Sequence, residues 1–174
     1  SFRMKRDGQE YLQEVTLEGK PDDEDLVRLA LVGRRAPELA GAITYQGELS
    51  SMREARGRVV LIDFWASYCG ACLGLLQEVE QISRTYAAQG LEVIGLTVDS
   101  SRRGREIARN YHLSYTMMSD PQAEVVQRYH AQTIPMLVLV NQAGVVIDVM
   151  IGAEPKRLAD LLAEAQVLLA GETK

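Results

Sequence analysis

An α/β sandwich, with helices on both faces of a central mixed β-sheet, follows from three features of the sequence. Apolar, β-branched runs alternate with segments of helical periodicity, the links between them are short, and the last two strand-like runs are joined by a turn-rich tetrad that reads as an antiparallel hairpin at the sheet edge. A chain of 174 residues, 47% hydrophobic and 25% charged, can bury a core and is expected to form one domain with an appendage.

Residues 1–35 read as an N-terminal extension. It holds a short strand over 11–17, and the run Pro21-Asp-Asp-Glu-Asp25 opens a helix that continues to Leu31, its acids suiting the positive end of the helix dipole. Composition alone is equally consistent with a solvated tether there. The domain proper, 36–174, is expected to begin at Ala36-Pro37, where proline interrupts structure and patterned hydrophobicity follows. Residues 59–65 (VVLIDFW) have the composition of a strand buried on both faces, broken by one charge, Asp63. After a turn at 66–68, the residues Cys72, Leu75, Leu76, Val79, Ile82 and Tyr86 recur at spacings of three and four on one helical face, and Gly90 closes the helix. A strand over 91–98, a helix over 103–111, a strand over 115–118 and a helix over 123–129 come next. Strands at 135–140 and 145–151 flank Asn141-Gln-Ala-Gly144, and a last amphipathic helix over 155–169 turns Leu158, Leu161, Leu162, Ala165 and Leu168 inward.

The formal net charge of −5, with the excess acid concentrated in the first 33 residues and no long Lys/Arg cluster, argues against nucleic acid as a partner. No apolar run reaches 18 residues, and the opening SFRMKRDGQE is too polar for a signal peptide, so any membrane tether would lie in a segment outside this sequence. The chain has two cysteines, Cys69 and Cys72, too close together to serve as a staple, since they would close almost no loop.

That pair is the candidate site. Disulfide exchange needs a thiolate, and a free cysteine with a pKa of about 8.5 is mostly protonated at neutral pH. The strand-turn-helix order puts Cys69 at the first helical turn, where unpaired backbone N–H groups and the dipole favour an anion, making it the expected nucleophile. Cys72, one turn further in, is positioned to attack a mixed disulfide formed by Cys69 and so to resolve it. Its proton needs an acceptor, and Asp63, the lone ionisable group of an apolar strand ending just before the motif, is the candidate. The competing readings are bland ones. A CxxC pair can be half a zinc site, but the remaining candidates, His112 and His130, are too far apart for a finger, and no metal is expected. Asp63 could instead sit at a solvated strand end, and Pro135 could simply start a strand. The histidines read as surface residues, and Met117-Met118 as core packing.

The segment DFWASYCGAC resembles the active-site segment of the thioredoxin superfamily. Val32-Gly33-Arg-Arg-Ala-Pro37, GLTVDSS, SDP and TIP before a hairpin occur in the order seen in its TlpA/ResA-like (DsbE-like) branch, so that the resemblance runs from about residue 32 to the end. It implies a three-layer α/β/α fold with a strand-helix insertion between Val98 and Ala131. It also implies a cis peptide bond at Pro135 lying against the cysteines, with the backbone at Ile134 offering hydrogen bonds to an extended substrate segment. The implied activity is thiol-disulfide exchange with protein dithiols and disulfides, with no cofactor beyond the redox-active Cys69–Cys72 pair. A membrane or soluble thiol would donate the electrons. Relatives of this kind are exported and tethered, which implies the bacterial periplasm or an extracytoplasmic membrane face, and many reduce partner proteins that include apocytochromes awaiting haem.

The sequence also departs from the family pattern. Tyr68 replaces a tryptophan, Ala71 a proline, Leu73 a frequent basic residue, and Gln77 a frequent proline. With neither a histidine between the cysteines nor a cation after Cys72 to stabilise a thiolate, a mild to reducing potential is expected. Tyr68, Ala71, Leu73 and Trp65 are expected to form an apolar rim suited to a protein segment. The alternatives on the same scaffold are a disulfide oxidase or isomerase, a thiol peroxidase, whose threonine and proline before a lone cysteine are not matched by Ser67-Tyr68, and a non-catalytic binding or chaperone module.

Overall fold

In a computed structural model of the chain, residues 2–6, 9–13 and 22–171 are described. Two strands, β1 (Phe2–Arg6) and β2 (Gln9–Gln13), pair antiparallel. Of the strand read from the sequence at 11–17, residues 11–13 fall in β2, and the remainder lies outside the described residues. The helix α1 (Asp23–Leu31) starts as its acids suggest, with the Asp22 carboxylate accepting from Asp25 N at 2.8 Å.

The main sheet has six strands: β3 (Ile43–Gln46), β4 (Val59–Trp65), β5 (Leu91–Thr97), β6 (Thr116–Ser119), β7 (Met136–Val140) and β8 (Val146–Ile151), in the spatial order β3-β6-β5-β4-β7-β8. The central pairs β4-β5 and β5-β6 are parallel, while β3, β7 and β8 pair antiparallel. Mixed strand direction and helices on both faces give the thioredoxin-like α/β/α sandwich the sequence predicts. Strand β3 was not read from the sequence. It is four residues long at the sheet edge, only Tyr45 in it is buried, and its pairing with β6 is what makes it a strand.

All seven residues of β4 are buried, and alternation divides them between two cores. On one face Val59, Leu61 and Trp65 pack with Leu75, Leu76 and Val79 of α2 (Gly70–Tyr86), Ile107 and Ala108 of α3 (Ser101–Asn110), and Leu158 and Leu161 of α5 (Pro155–Leu169). On the other, Val60, Ile62 and Phe64 pack with Val27 and Leu31 of α1 and Val125 of α4 (Glu124–Arg128). Asp63 shares the parity of Leu61 and Trp65, so it projects to the face covered by α2.

Helix α1, in the extension expected to precede the domain, is fixed to β8. Arg28 pairs with the buried Asp148, Glu24 accepts the Ile151 N–H at 3.1 Å, and Arg157 Nη2 reaches Glu24 Oε1 at 2.7 Å. The SDP turn has a structural purpose of its own. Asp120 is fully buried, and its carboxylate accepts from the backbone N–H groups of Glu124, Val125 and Val126 at 2.9 to 3.0 Å, capping α4.

Candidate active site

Strand β4 ends at Trp65, the chain turns through Ala66-Ser67-Tyr68, and Cys69 becomes the N-cap of α2. Its sulfur accepts from the Cys72 backbone N–H at 3.1 Å, the position at which a cap places negative charge against free helix N–H groups. Cys69 and Cys72 are joined as a disulfide with Cα atoms 5.2 Å apart. Cys69 is half-buried, whereas Cys72 is 1% exposed, so an incoming sulfur can reach only the first of the pair.

The turn is held from β5. The Asp99 carboxylate accepts from Ser67 N at 2.7 Å, Ser67 Oγ at 3.0 Å and Thr97 Oγ1 at 2.9 Å. Asp99 therefore fixes the residues immediately before Cys69, a contribution that sequence reading missed, although the DSS segment that contains it was singled out. Asp99→Ala is expected to lose about 2 kcal/mol of stability, at about 1 kcal/mol per net hydrogen bond for two bonds to the turn. Denaturant unfolding of the disulfide form measures it.

Across from the cysteines, the Ile134–Pro135 peptide bond is cis. The Ile134 carbonyl oxygen lies 3.9 Å from Cys69 Sγ, and the Pro135 carbonyl is occupied by the Gly152 N–H at 2.8 Å. The expected apposition of this loop and the first cysteine is thus present.

Asp63 is 2% exposed, two residues before the end of β4, flanked in register by Gly95 of β5 and Leu137 of β7. Burial pushes its carboxyl up to about 7. The alternative of a solvated strand end does not hold, because β4 is the centre of the sheet. Trp65 departs from expectation. It is 1% exposed and packs beneath α2, so it supports the rim without being part of it. The rim consists of Tyr68, 77% exposed, with exposed Gly70 and Ala71 and half-buried Leu73 and Ile134.

Two further polar side chains sit on the same face. Glu80 of α2 is buried and receives Ser114 N at 2.7 Å, Ser114 Oγ at 2.6 Å and Arg84 Nε at 2.5 Å. Tyr115, just before β6, is 4% exposed and its hydroxyl has no partner among the described residues. The only sequence signal for Glu80 was an acid on the inward stripe of α2. Among the described residues no group of three or more His, Cys, Asp or Glu side chains could hold a metal ion, and no helix is long and apolar enough to cross a membrane.

Comparison with known proteins agrees with this geometry. The Redoxin family model matches residues 31–166. The thioredoxin-like protein YneN of Bacillus subtilis is 27% identical over 129 residues, 72% of this chain and 74% of that protein. The thiol-disulfide oxidoreductase ResA of Halalkalibacterium halodurans is 25% identical over 116 residues, 66% of each chain. Among solved structures, a candidate thiol:disulfide interchange protein DsbE from Chlorobium tepidum superposes with a TM-score of 0.67 at 26% identity, over 82% of this chain and 98% of that one.

Proposed function

The chain belongs to the Redoxin family and is a thiol-disulfide oxidoreductase, and from that premise we propose that it works as a reductase of disulfides in partner proteins. The observation that carries this reading is the asymmetry of the pair: an accessible Cys69 at a helix N-cap beside the Ile134–Pro135 loop, and a covered Cys72 behind it.

In the reduced protein the Cys69 thiolate attacks one sulfur of a substrate disulfide, forms a mixed disulfide and expels the other sulfur as a thiolate. Cys72 Sγ–H then gives its proton to the Asp63 carboxylate, and the new thiolate attacks Cys69 Sγ. The second substrate sulfur leaves, and the Cys69–Cys72 disulfide forms as the substrate gains two electrons. A membrane or soluble thiol donor returns the pair to the dithiol. Half-buried Ile134 lines one side of the approach to Cys69 with Pro135 buried behind it, and an extended substrate segment can hydrogen-bond to the backbone at Ile134. The absence of histidine at Gly70 and Ala71 and of a cation at Leu73 supports the reducing direction, since nothing beyond the helix terminus stabilises the thiolate there.

The resemblance to the TlpA/ResA-like branch supports an extracytoplasmic site of action, tethered through a segment outside this sequence, with apocytochromes awaiting haem among the partners. Exposed Tyr68 and the small residues beside it favour a polypeptide over a small charged thiol. Covering a large apolar side chain is worth about 1.5 to 3 kcal/mol, so a disulfide-bonded protein should be reduced with kcat/KM at least about tenfold above glutathione disulfide. Equal kcat/KM for the two substrates contradicts a protein-docking rim.

A further inference from the structure

We propose that the Tyr115 phenol is the hydrogen-bond donor that Asp63 takes when it is ionised, which makes Tyr115 a positioning residue for the proton leaving Cys72. This rests on Asp63 as the proton acceptor. The position opposite Asp63 on β5 is Gly95, which presents no side chain to it. A Cβ at Gly95 would lie 2.7 Å from Met117 Sδ and 2.9 Å from Tyr115 Cε2, so the Tyr115 ring fills the space that a side chain beside Asp63 would have taken. The ring belongs to the same core as Trp65, Cys72 and Leu137, and its hydroxyl is buried with no partner among the described residues. A phenol orphaned in this way destabilises the fold unless something nearby accepts its proton.

Burial above all, and after it the nearby charges of Asp63 and, from α2, Glu80, hold that phenol in the protonated, donating form. Glu80 is already engaged by Ser114 and Arg84. Asp63 is raised by burial alone, which leaves its oxygens as the acceptor in need. The other titratable side chains packed on this face are tyrosines: Tyr45 of β3 and the partly buried Tyr86 of α2 and Tyr111, which follows α3. From β7 comes Leu137, from α3 Ile107 and Ala108, from α5 Leu158 and Leu161, and from α2, besides Glu80, the Cys72 sulfur. Tyr45 is also buried with an unpartnered hydroxyl and lies near enough to Tyr115 to act on it, but its charged neighbours are Asp99 and Arg105 and not Asp63. It therefore provides a matched control in which the same atom is deleted from the same core.

The test is a carbon-13 NMR titration of the Asp63 carboxyl in the disulfide form, where neither cysteine ionises, for the wild type, Tyr115→Phe and Tyr45→Phe. Loss of a donor to the charged form should move the Asp63 midpoint upward by about one pH unit in Tyr115→Phe and leave it in place in Tyr45→Phe. An unmoved midpoint in Tyr115→Phe, or an equal rise in both variants, overturns the proposal. Should Tyr115→Phe not fold, 3-fluorotyrosine at 115, a stronger donor, should move the midpoint down, and no movement there overturns the proposal equally. The acceptor role itself is judged separately by the pH profile of Asp63→Asn, so the two ideas can fail independently.

Discussion

Replacing Cys69 with serine takes disulfide exchange to the uncatalysed background, while Cys72→Ser leaves the first step intact and strands the enzyme as a mixed disulfide with its substrate. The difference follows from burial. Only the Cys69 sulfur is accessible at the helix N-cap, so its loss removes the nucleophile. Cys72 sits 1% exposed beneath it and acts only on a bond that Cys69 has already formed. Non-reducing electrophoresis of each variant incubated with a disulfide-bonded protein distinguishes the roles: a covalent adduct with Cys72→Ser, released by a small thiol, and none with Cys69→Ser. An adduct through Cys72 in the Cys69→Ser variant would reverse the assignment.

Asp63→Asn should slow turnover and stabilise the protein at the same time, a pairing that few substitutions give. A positioned base contributes about a hundredfold at the lower end, so turnover at pH 7 should fall by about that factor. The rising limb of the wild-type pH profile, centred near the Asp63 pKa of about 7, should disappear. Stability moves the other way. The carboxyl titrates near 3.8 when unfolded and at about 7 when buried, so between those values the native state binds more protons than the unfolded one. The Asp63 contribution to wild-type stability is therefore full below about pH 4, declines as the pH rises through about 7 and then levels off, with a total loss on the order of 4 kcal/mol. Asparagine carries no such titration. Denaturant midpoints for the two disulfide forms should coincide near pH 4 and separate in favour of Asp63→Asn by pH 8. Parallel pH dependences would show that Asp63 does not titrate in the fold as described.

The parts of this molecule that depend on local pattern were legible in the sequence. Strand β4 has the bounds read from the sequence, 59–65, and α2 follows its apolar spacing, but the helix ends at Tyr86, and Gly90 instead caps the short 3-10 turn Ala87–Gln89 that follows it. Asp63 stood out as the one charge in that strand. What escaped depends on distant partners. Strand β3 exists through its pairing with β6, more than 70 residues on. Helix α1 was visible as a helix, but its attachment runs through Asp148 and Arg157, whose side chains meet it only after folding. Trp65 was placed at the rim by its closeness to Cys69 in sequence, whereas strand alternation in the middle of the sheet directs it under α2. The cis bond before Pro135 came from family resemblance, since Thr133-Ile134-Pro135 alone does not distinguish it from a strand-opening proline. Asp99, which holds the turn before Cys69, and Glu80 and Tyr115, which share the α2 face with Asp63, come from separate segments of the chain, and no spacing rule links them.

The equilibrium reduction potential of the Cys69–Cys72 pair, titrated in thiol redox buffers with Cys-to-Ser controls, tests the reductase reading most directly. With no cation or histidine beside the thiolate, the value should lie near that of thioredoxin, about −270 mV, and require a dedicated electron donor. A value near about −120 mV, as in strongly oxidising proteins, would contradict the account and make this protein a donor of disulfides.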